Sequence, residues 1–462
     1  MTMERRDQQN VVLIKGTPTA CNSSNKGQIK QTSREDDLSW KIRIRLKAQD
    51  KTCVFTNLMK HINIDTLREA YHAIDGKKAV GVDKVTKAEY GKRLEENLED
   101  LRKRVAVGSY RPLPKREVLI PKANGKMRPL AIASFEDKLV DWCVGSILTE
   151  VYEPLFIRNS FGYRRNKSAH GAIEACYYSL EDGSRPNVVE IDFANFFDSI
   201  PHKKLMRVIK RRIGDKRFIG LIYRLLTGEI LKSSGEKLPG IIGTPQGGIA
   251  SPILANIYLN EVVDQWFLEN YASYNNIIVR YADDAVFFFR KEDEALDFVK
   301  QLHQRVALFG TTLNEAKTRK LKLGKQSHDS FNFLGFTFYR GIQGKRKILK
   351  IKTQKEKLIK GIQEFYHWIK TYRNGVKLNI LWNMAKAKIT GHVNYFGYWM
   401  NNLKVNHFYF EALKSLYKWL NRRSQKHSYT IEGFNERVKN FPLMPAPQNI
   451  KWKTLGRSYA RI

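Results

Sequence analysis

Residues 277–289 read IIVRYADDAVFFF, two apolar runs on either side of an acidic pair. Isoleucine, valine, tyrosine and phenylalanine favour β-strands, and aspartate favours turns. The stretch therefore predicts a β-hairpin with Asp283 and Asp284 at its turn. A solvated surface turn is the ordinary alternative for an isolated Asp-Asp pair, but the very apolar flanks place this pair at the edge of a core.

A second acidic position, Asp192, lies 91 residues before Asp283. Residues 187–191 read NVVEI and predict a buried strand that ends at Asp192. Ser199 and Pro201 then predict the start of a helix. The apolar face of that helix would comprise Leu205, Val208, Ile209 and Ile213. Because side chains at strand ends point into clefts, Asp192 is a candidate site residue.

Charge gives a physical reason to join the two acidic sites. Three carboxylates that converge in a cleft repel one another and shift their pKa values unless cations compensate. Mg²⁺ favours a few carboxylates together with substrate phosphates. Two such ions roughly 3.5–4 Å apart stabilise both the attacking and the leaving oxygen in phosphoryl transfer. Asp192, Asp283 and Asp284 fit that pattern.

At these residues the sequence resembles the palm of the reverse transcriptases encoded by group II introns. Tyr281–Asp284 match the family's Tyr-x-Asp-Asp motif in its Ala form, and the segment around Asp192 matches the first palm motif. Gly243–Leu259 read GTPQGGIASPILANIYL, lie between the other two and are very similar to the second motif. This 17-residue match, in the right order and at the right separations, is highly specific.

The resemblance covers roughly residues 60 to 450. The further matching segments are Arg111–Leu130 (fingers hairpin), Glu153–Pro154 and Ser160–Arg164 (before the palm), Asn314–Thr318 (fourth palm motif), Phe333–Phe336 (primer grip) and Trp419–Ser424 (maturase thumb). Two short apolar runs around Asn124-Gly125 independently predict the hairpin.

The implied fold is an α/β (α+β) right-hand polymerase with fingers, an antiparallel palm sheet and a helical thumb. We expect a flexible tail over residues 1–45 and an N-terminal extension with fingers over 46–185. The palm would follow over 186–343, and a thumb or maturase domain, helical beyond Lys345, over 344–462.

The resemblance also implies roles for individual residues. Asp192, Asp283 and Asp284 would hold two Mg²⁺ ions, with the backbone carbonyl of Phe193 as a further ligand and Lys317 as proton donor to the leaving pyrophosphate. The nucleotide-binding residues would be Lys122, Arg128, Phe197 and Gln246. The primer grip would comprise Phe333, Leu334 and Gly335.

Each of these residues also has a structural interpretation. Phe197, which would exclude a 2′-OH, lies in an apolar motif, where a phenylalanine is more often a core residue. Gln246 could cap a turn in a glycine-rich loop, although those glycines also let backbone approach a ligand closely. Arg128, which precedes a proline, could simply face solvent, and the sequence signal for Lys122 and Lys317 is weaker still.

The charge balance points to a polyanionic partner. Lysine and arginine number 81 against 46 aspartates and glutamates, which gives a net charge of +35. An anionic membrane surface is the alternative, but the sequence has no apolar run near the roughly 20 residues of a spanning helix. We expect a protein of the bacterial cytoplasm or nucleoid. The four cysteines form no Cys-x-x-Cys pair, so neither a zinc knuckle nor a disulfide framework is indicated.

The basic excess is strongest near the C-terminus. Residues 345–462 contain 25 lysines and arginines, five glutamates and no aspartate. Cations in this segment would supply salt-dependent affinity for phosphates, whereas most of its aromatic rings have the spacing of a helix core. The candidate RNA contacts are Lys345, Arg346, Lys347, Arg422 and Arg423.

We therefore expect an RNA-directed DNA polymerase that also binds a structured group II intron RNA and assists its splicing and mobility. Its partners would be intron RNA, an RNA template with a DNA primer, target DNA and dNTPs, and the enzyme could be a monomer or a dimer. No segment resembles the family's Cys/His-bearing endonuclease, so a nick or a replication-fork strand would supply the primer. The alternatives are a domesticated enzyme in phage defence or CRISPR-linked work, and a non-catalytic RNA-binding splicing factor.

Overall fold

The computed structural model describes residues 39–121, 125, 127–245, 247–423 and 428–444. The helices in this part are α1 (Trp40–Ala48), α2 (Ile64–Ala73), α3 (Lys87–Tyr90), α4 (Leu94–Val107), α5 (Phe135–Tyr152), α6 (Ala169–Glu181), α7 (Phe196–Ser199), α8 (His202–Lys210), α9 (Lys216–Thr227), α10 (Ser251–Leu259), α11 (Gln265–Asn270), α12 (Glu292–Leu308), α13 (Lys355–Tyr372), α14 (Leu378–Phe396), α15 (Asn402–Leu420) and α16 (Ile431–Asn440). The strands are β1 (Lys115–Pro121), β2 (Met127–Ile132), β3 (Asn187–Ile191), β4 (Ile230–Leu231), β5 (Lys237–Leu238), β6 (Ile277–Tyr281), β7 (Asp284–Phe289), β8 (Arg319–Lys322), β9 (Ser330–Phe333), β10 (Phe336–Gln343) and β11 (Arg346–Thr353).

The palm is an antiparallel sheet of order β6-β7-β3-β8. Strand β3 is buried on both faces, since Val188 packs into one core and Val189 and Ile191 into another. This double burial explains why the strand reads as a continuous apolar run rather than an alternating one. The predicted α/β polymerase fold with an antiparallel palm sheet is confirmed.

The fingers contain a sheet of order β2-β1-β4-β5. Strands β1 and β2 form an antiparallel hairpin that closes at the pair Pro121 and Met127, so the predicted hairpin is confirmed. Gly125 at its tip has a φ of +78°, a left-handed conformation that favours glycine. Lys122 and Asn124 lie outside the described residues.

A third sheet, of order β11-β10-β9, joins the palm to the C-terminal helices. Strand β11 runs from Arg346 to Thr353, and helix α13 begins only at Lys355. The prediction of helix beyond Lys345 was therefore wrong for these first residues. Alternating burial along β11 explains the strand, because every second side chain packs into the core that lies over the palm.

The C-terminal helices α13, α14 and α15 form a bundle around their own apolar core, which includes Ile369, Leu381 and Leu416. At the other end of the described chain, α1 packs Ile44 into the large core, so residues 40–45 do not belong to a tail. Residues 1–38 lie outside the described part, and the other proposed domain bounds stay predictions. Among the described residues, none of the helices combines the length and the apolar character of a membrane span.

Candidate active site

Pairing between strands brings the three candidate carboxylates together. Ile191 of β3 lies opposite Ala285 of β7, so Asp192, the next residue after β3, comes beside Asp284. The carboxyl groups of Asp192 and Asp284 are within hydrogen-bonding reach of each other. The geometric prediction that a strand-end acid meets a distant acidic hairpin is therefore confirmed.

The pKa values of Asp283 and Asp284 are raised, which shows that their negative charges are unfavourable in this arrangement. Asp284 is exposed along the cleft, yet surrounding protein atoms remove much of its carboxyl group from water. That desolvation, followed by repulsion from Asp283 and Asp192, raises the pKa of Asp284 to about 7. Desolvation, with repulsion from Asp192, also raises the pKa of Asp283. The site is thus a concentration of negative charge that a cation would stabilise.

Two side chains already hold Asp192 in place. Lys317 Nζ and Asn314 Nδ2 donate to Asp192 Oδ2 at 3.0 and 3.2 Å. In the described chain, no three acidic, histidine or cysteine side chains form a ready metal cage. Mg²⁺ binds through one or two carboxylates plus waters and substrate phosphates rather than in an all-protein cage. The mutually repelling acids therefore fit a divalent ion that substrate helps to coordinate.

The turn between β6 and β7 has only two residues, Ala282 and Asp283, because Tyr281 pairs directly with Asp284. Ala282 has a φ of +56°, which costs free energy for any residue with a Cβ. Gly162 packs against this turn, and a Cβ at Gly162 would overlap the backbone nitrogen of Ala282. The glycine is thus required for the close approach of the two backbones.

A fully buried arginine anchors the same turn. Arg280 Nη1 donates to the carbonyl oxygen of Ala282 and to Asn256 Oδ1, each at 2.9 Å. Its Nε and Nη2 donate to Asp264 at 2.7 and 2.5 Å, and both charged side chains are 0% exposed. Asn256 Nδ2 in turn donates to the carbonyl of Gly162 at 2.8 Å. The network ties the acidic turn to α10 and to the π-helical turn that follows it.

The nucleotide side of the cleft contains Phe197, Tyr163 and Arg128. Phe197 is half-buried, packs against the large core and meets the ring of Tyr163 edge-on at 6.4 Å. Tyr163 and Arg128 are both exposed. Desolvation, followed by the charge of Asp283, raises the pKa of Tyr163. The positive charge of Arg128 opposes the rise in the pKa of Asp283. Phe193 buries its ring in the large core, and its backbone carbonyl as a metal ligand stays a prediction.

The glycine-rich loop lies beside Phe197. Thr244 N donates to the Phe197 carbonyl at 2.7 Å. Asp141 of α5 accepts from the backbone nitrogens of Ile249 and Ala250 at 2.5 and 3.2 Å and so fixes the far end of the loop. Gln246 and Lys122 lie outside the described residues, and their nucleotide contacts stay predictions.

The predicted primer grip lines the same cleft as the acids. Leu334 and Gly335 form the two-residue turn between β9 and β10, with φ values of +48° and +82°. Tyr395 Oη donates to the Leu334 carbonyl at 2.9 Å, which joins the turn to helix α14. Together with Asp192, Asp284, Phe333 and Lys357, this turn borders a cleft of about 820 Å³.

The basic candidates have mixed surroundings. Lys345 and Arg346 are exposed at the tip of the β10–β11 hairpin, whereas Lys347 Nζ donates to the Gln326 carbonyl at 3.0 Å. Arg422 lies over the ring of Trp419 at 5.5 Å. Arg423 Nη2 donates to the Val376 carbonyl at 3.0 Å. Part of this positive charge therefore stabilises the fold, and RNA binding by these residues stays a prediction.

Sequence reasoning missed Glu190, Arg280 and Tyr163 as site residues. Glu190 is buried beside Asp192 and accepts from Arg319 Nη2 at 2.6 Å and from the backbone nitrogen of Asn332 at 3.1 Å. Desolvation raises the pKa of Glu190, with Arg319 opposing the shift. A signal existed for two of the three, because charged residues inside apolar strand runs need buried partners.

Comparison with known proteins agrees with this geometry. Residues 120–338 match the family model described as reverse transcriptase (RNA-dependent DNA polymerase). The chain is 32% identical to Protein YkfC of Escherichia coli, an alignment that covers 56% of this chain and 76% of that protein. The chain belongs to the reverse transcriptase family.

Other relatives point to introns. The chain is 35% identical to the group II intron-encoded protein LtrA of Lactococcus lactis, over 47% of this chain and 36% of that protein. It is 42% identical to a 91 kDa protein in the cob intron of Schizosaccharomyces pombe, over 35% and 19% of the two chains. It thus spans much less than half of these two relatives. The resemblance to group II intron reverse transcriptases is confirmed, and members of this family generally use divalent metal ions.

Proposed function

We propose that this reverse transcriptase copies RNA into DNA at the cleft between Asp192 and the Asp283–Asp284 turn. The observation that carries the proposal is the meeting of three carboxylates from two distant segments, with the predicted primer grip lining the same cleft. A primer 3′-OH positioned by the grip would attack the α-phosphate of a dNTP and release pyrophosphate.

The metal we propose is Mg²⁺, as two ions. Asp192, Asp283, Asp284 and the Phe193 carbonyl would hold it, and when bound it would supply charge stabilisation for the attacking and leaving oxygens. Arg128 would contact the triphosphate, since it is exposed and its charge lies near enough to Asp283 to act on the pKa of that carboxyl group. Lys317, 64% exposed beside Asp192, would donate the proton to pyrophosphate. Phe197, supported by Tyr163, would exclude a 2′-OH.

We further propose that the protein binds a structured group II intron RNA, assists its splicing and acts in the cytoplasm. Support comes from the name of the relative LtrA and from the net charge of +35. Dense positive charge favours RNA through release of counterions. Target DNA and dNTPs would complete the set of partners.

Primer extension on poly(rA)/oligo(dT) tests the polymerase proposal. We expect Asp283→Asn to abolish extension because it removes one carboxylate charge from the cleft. Asp293→Asn, an exposed acid at the start of α12, is the matched control and should extend normally. If Asp283→Asn extends as well as this control, the assignment of the site is wrong.

A further inference from the structure

A second groove lies between helices α8 and α9, and it shares no lining residue with the catalytic cleft. Its volume is about 970 Å³. The residues that matter for its chemistry are Lys203, Arg207, Lys210, Lys216, Gly220 and Tyr223. They form two stripes at helical spacing, one on each helix, so the groove is built from facing sides of two elements.

The cations of the groove are exposed, and in the described part of the chain they form no salt bridge. Lys203, Arg207 and Lys210 follow one another at single-turn intervals along α8, and Lys216 faces them from α9. None of the four forms an ion pair with a carboxylate of the described residues, and none of them has another recorded electrostatic partner there. By the rise of a helix, the α8 stripe is roughly 10 Å long.

Two neighbouring arginines, Arg211 and Arg212, have partners within the protein and therefore stabilise the fold. Arg211 pairs with Glu261 at 2.6 Å. Arg212 is buried and donates to the carbonyl oxygens of Asp50 and Ala48 at 2.7 and 3.0 Å. The fold therefore uses these two arginines, whereas the groove cations have no acidic partner among the residues that the structure describes.

The acid in the loop between the two helices, Asp215, accepts hydrogen bonds from backbone nitrogens. Asp215 is 8% exposed and accepts from the nitrogens of Arg217 and Phe218, each at 3.0 Å, which caps α9. It also accepts from the nitrogens of Leu58 and Met59 at 2.8 and 2.9 Å. Four charge-assisted bonds fix the loop that joins the two helices, so the groove is formed before any ligand arrives.

The floor of the groove combines open backbone with an exposed ring. Gly220 lies inside α9, where glycine is less favourable than alanine by roughly 0.5–1 kcal/mol. A Cβ there would meet nothing within 4 Å, so packing does not require the glycine. Tyr223 follows one turn later and is 48% exposed. An accessible ring next to open backbone is a surface on which a base can stack.

We propose that the α8–α9 groove binds an unpaired segment of RNA. The three cations of α8 and Lys216 contact consecutive phosphates, and one base stacks on Tyr223. In structured RNA, aromatic side chains stack on the bases of unpaired loops and bulges, whereas the bases of a duplex are stacked on one another and are not accessible to a side chain. The choice of RNA rests on the proposed function, because the intron RNA offers loops and bulges.

Fluorescence anisotropy of the full chain with labelled oligo(rC) of about 20 nucleotides tests this proposal, since single-strand sites span roughly 4–16 nucleotides. Unlabelled oligo(rA)/oligo(dT) hybrid is added at saturation to occupy the catalytic cleft. The test variant is Lys203→Gln/Arg207→Gln/Lys210→Gln. The control, Lys77→Gln/Lys78→Gln/Lys300→Gln, removes the same charge from exposed positions elsewhere.

We expect the groove variant to bind at least tenfold more weakly. Its plot of log affinity against log salt should be shallower by about 2, because each lost phosphate contact on a single strand removes about 0.7. Tyr223→Ala should weaken binding about tenfold with no change in that slope, as stacking of one base is worth roughly 1–3 kcal/mol. Gly220→Glu has room to fold and should block the groove.

Three results would overturn the proposal. The groove variant could bind like the control, Gly220→Glu could bind like wild type, or labelled oligo(dC) could bind as tightly as oligo(rC) with the same losses in the variants. The last result would make the groove a general single-strand site. Primer extension by the wild-type protein tests the polymerase separately, so either assignment can fail without the other.

Discussion

Replacement of Arg280 by methionine should damage both the stability and the chemistry of this enzyme, and the two effects can be separated. Methionine fills a similar space without a charge. It leaves the carboxylate of Asp264 buried at 0% exposure without its partner and removes the donor to the carbonyl of Ala282. The first loss acts on the fold, and the second acts on the acidic turn.

The magnitudes follow from the contacts. Removal of one partner from a buried ion pair costs about 3–5 kcal/mol, because the remaining charge is left uncompensated. That is a large part of the roughly 5–15 kcal/mol that stabilises a typical domain. A displacement of the turn by about 1 Å would lower kcat on the order of 100-fold, since catalysis depends on the placement of the reacting groups.

A double variant separates the effects. Arg280→Met/Asp264→Leu removes both charges, and exchange of a buried pair for apolar residues is often neutral or stabilising. We expect its free energy of unfolding, measured with urea, to return near the wild-type value. Its kcat in primer extension should remain low, because the Ala282 carbonyl still lacks its donor.

Arg212→Met is the matched control, because Arg212 is also buried but donates to the carbonyls of Asp50 and Ala48 and not to the turn. It should lower stability and leave kcat near wild type. The reasoning is refuted if the double variant recovers kcat together with stability, or if Arg280→Met costs less than about 1 kcal/mol, the size of one ordinary hydrogen bond.

Three further predictions concern other parts of the molecule. Phe197→Ala should raise rNTP relative to dNTP incorporation, measured as the ratio of kcat/KM values, and an unchanged ratio would mean that another residue selects the sugar. Glu190→Ala should raise the KM for primer–template more than Glu190→Gln, because only glutamine keeps an acceptor for Asn332 N on the primer-grip hairpin; equal effects would contradict this link. His392, stacked on Phe408, has its pKa lowered by burial to about 4. A histidine whose pKa is lower in the folded state contributes stability that is present above about pH 6.5 and is lost as the pH falls toward 4. The free energy of unfolding, measured with urea, should therefore fall by at most about 3 kcal/mol over that window. The free energy of unfolding of His392→Phe should depend less on pH.

Local patterns of the sequence were enough to predict the parts of the fold that depend on near neighbours. The hairpin of Ile277–Phe289, the strand that ends at Asp192 and the fingers hairpin each follow from residue type and spacing, and all three are confirmed. The helical prediction beyond Lys345 failed because basic residues alternate there with apolar ones in β11.

The residues of the candidate site likewise fall into those that the sequence could identify and those that needed the tertiary structure. Its acidic residues could be found from the sequence because two aspartates between apolar strands have few structural explanations. Glu190 and Arg280 carried a signal, as charges within apolar runs, but their roles could not be assigned because only folding brings Asn332 and Asp264 near them. Tyr163 carried no such signal, and only the fold places its ring against Phe197.

The sequence by itself determined the chemistry that this protein carries: the acids, the basic excess and the strands and turns that hold them. Tertiary structure decided which of these groups meet. Asp192 joins Asp283 and Asp284 only through the register of β3 on β7, and the cations of α8 become a groove only when α9 packs beside them. The physical reason is that local conformation depends on neighbours in the chain, whereas the energy of a buried charge depends on every group that folding places around it.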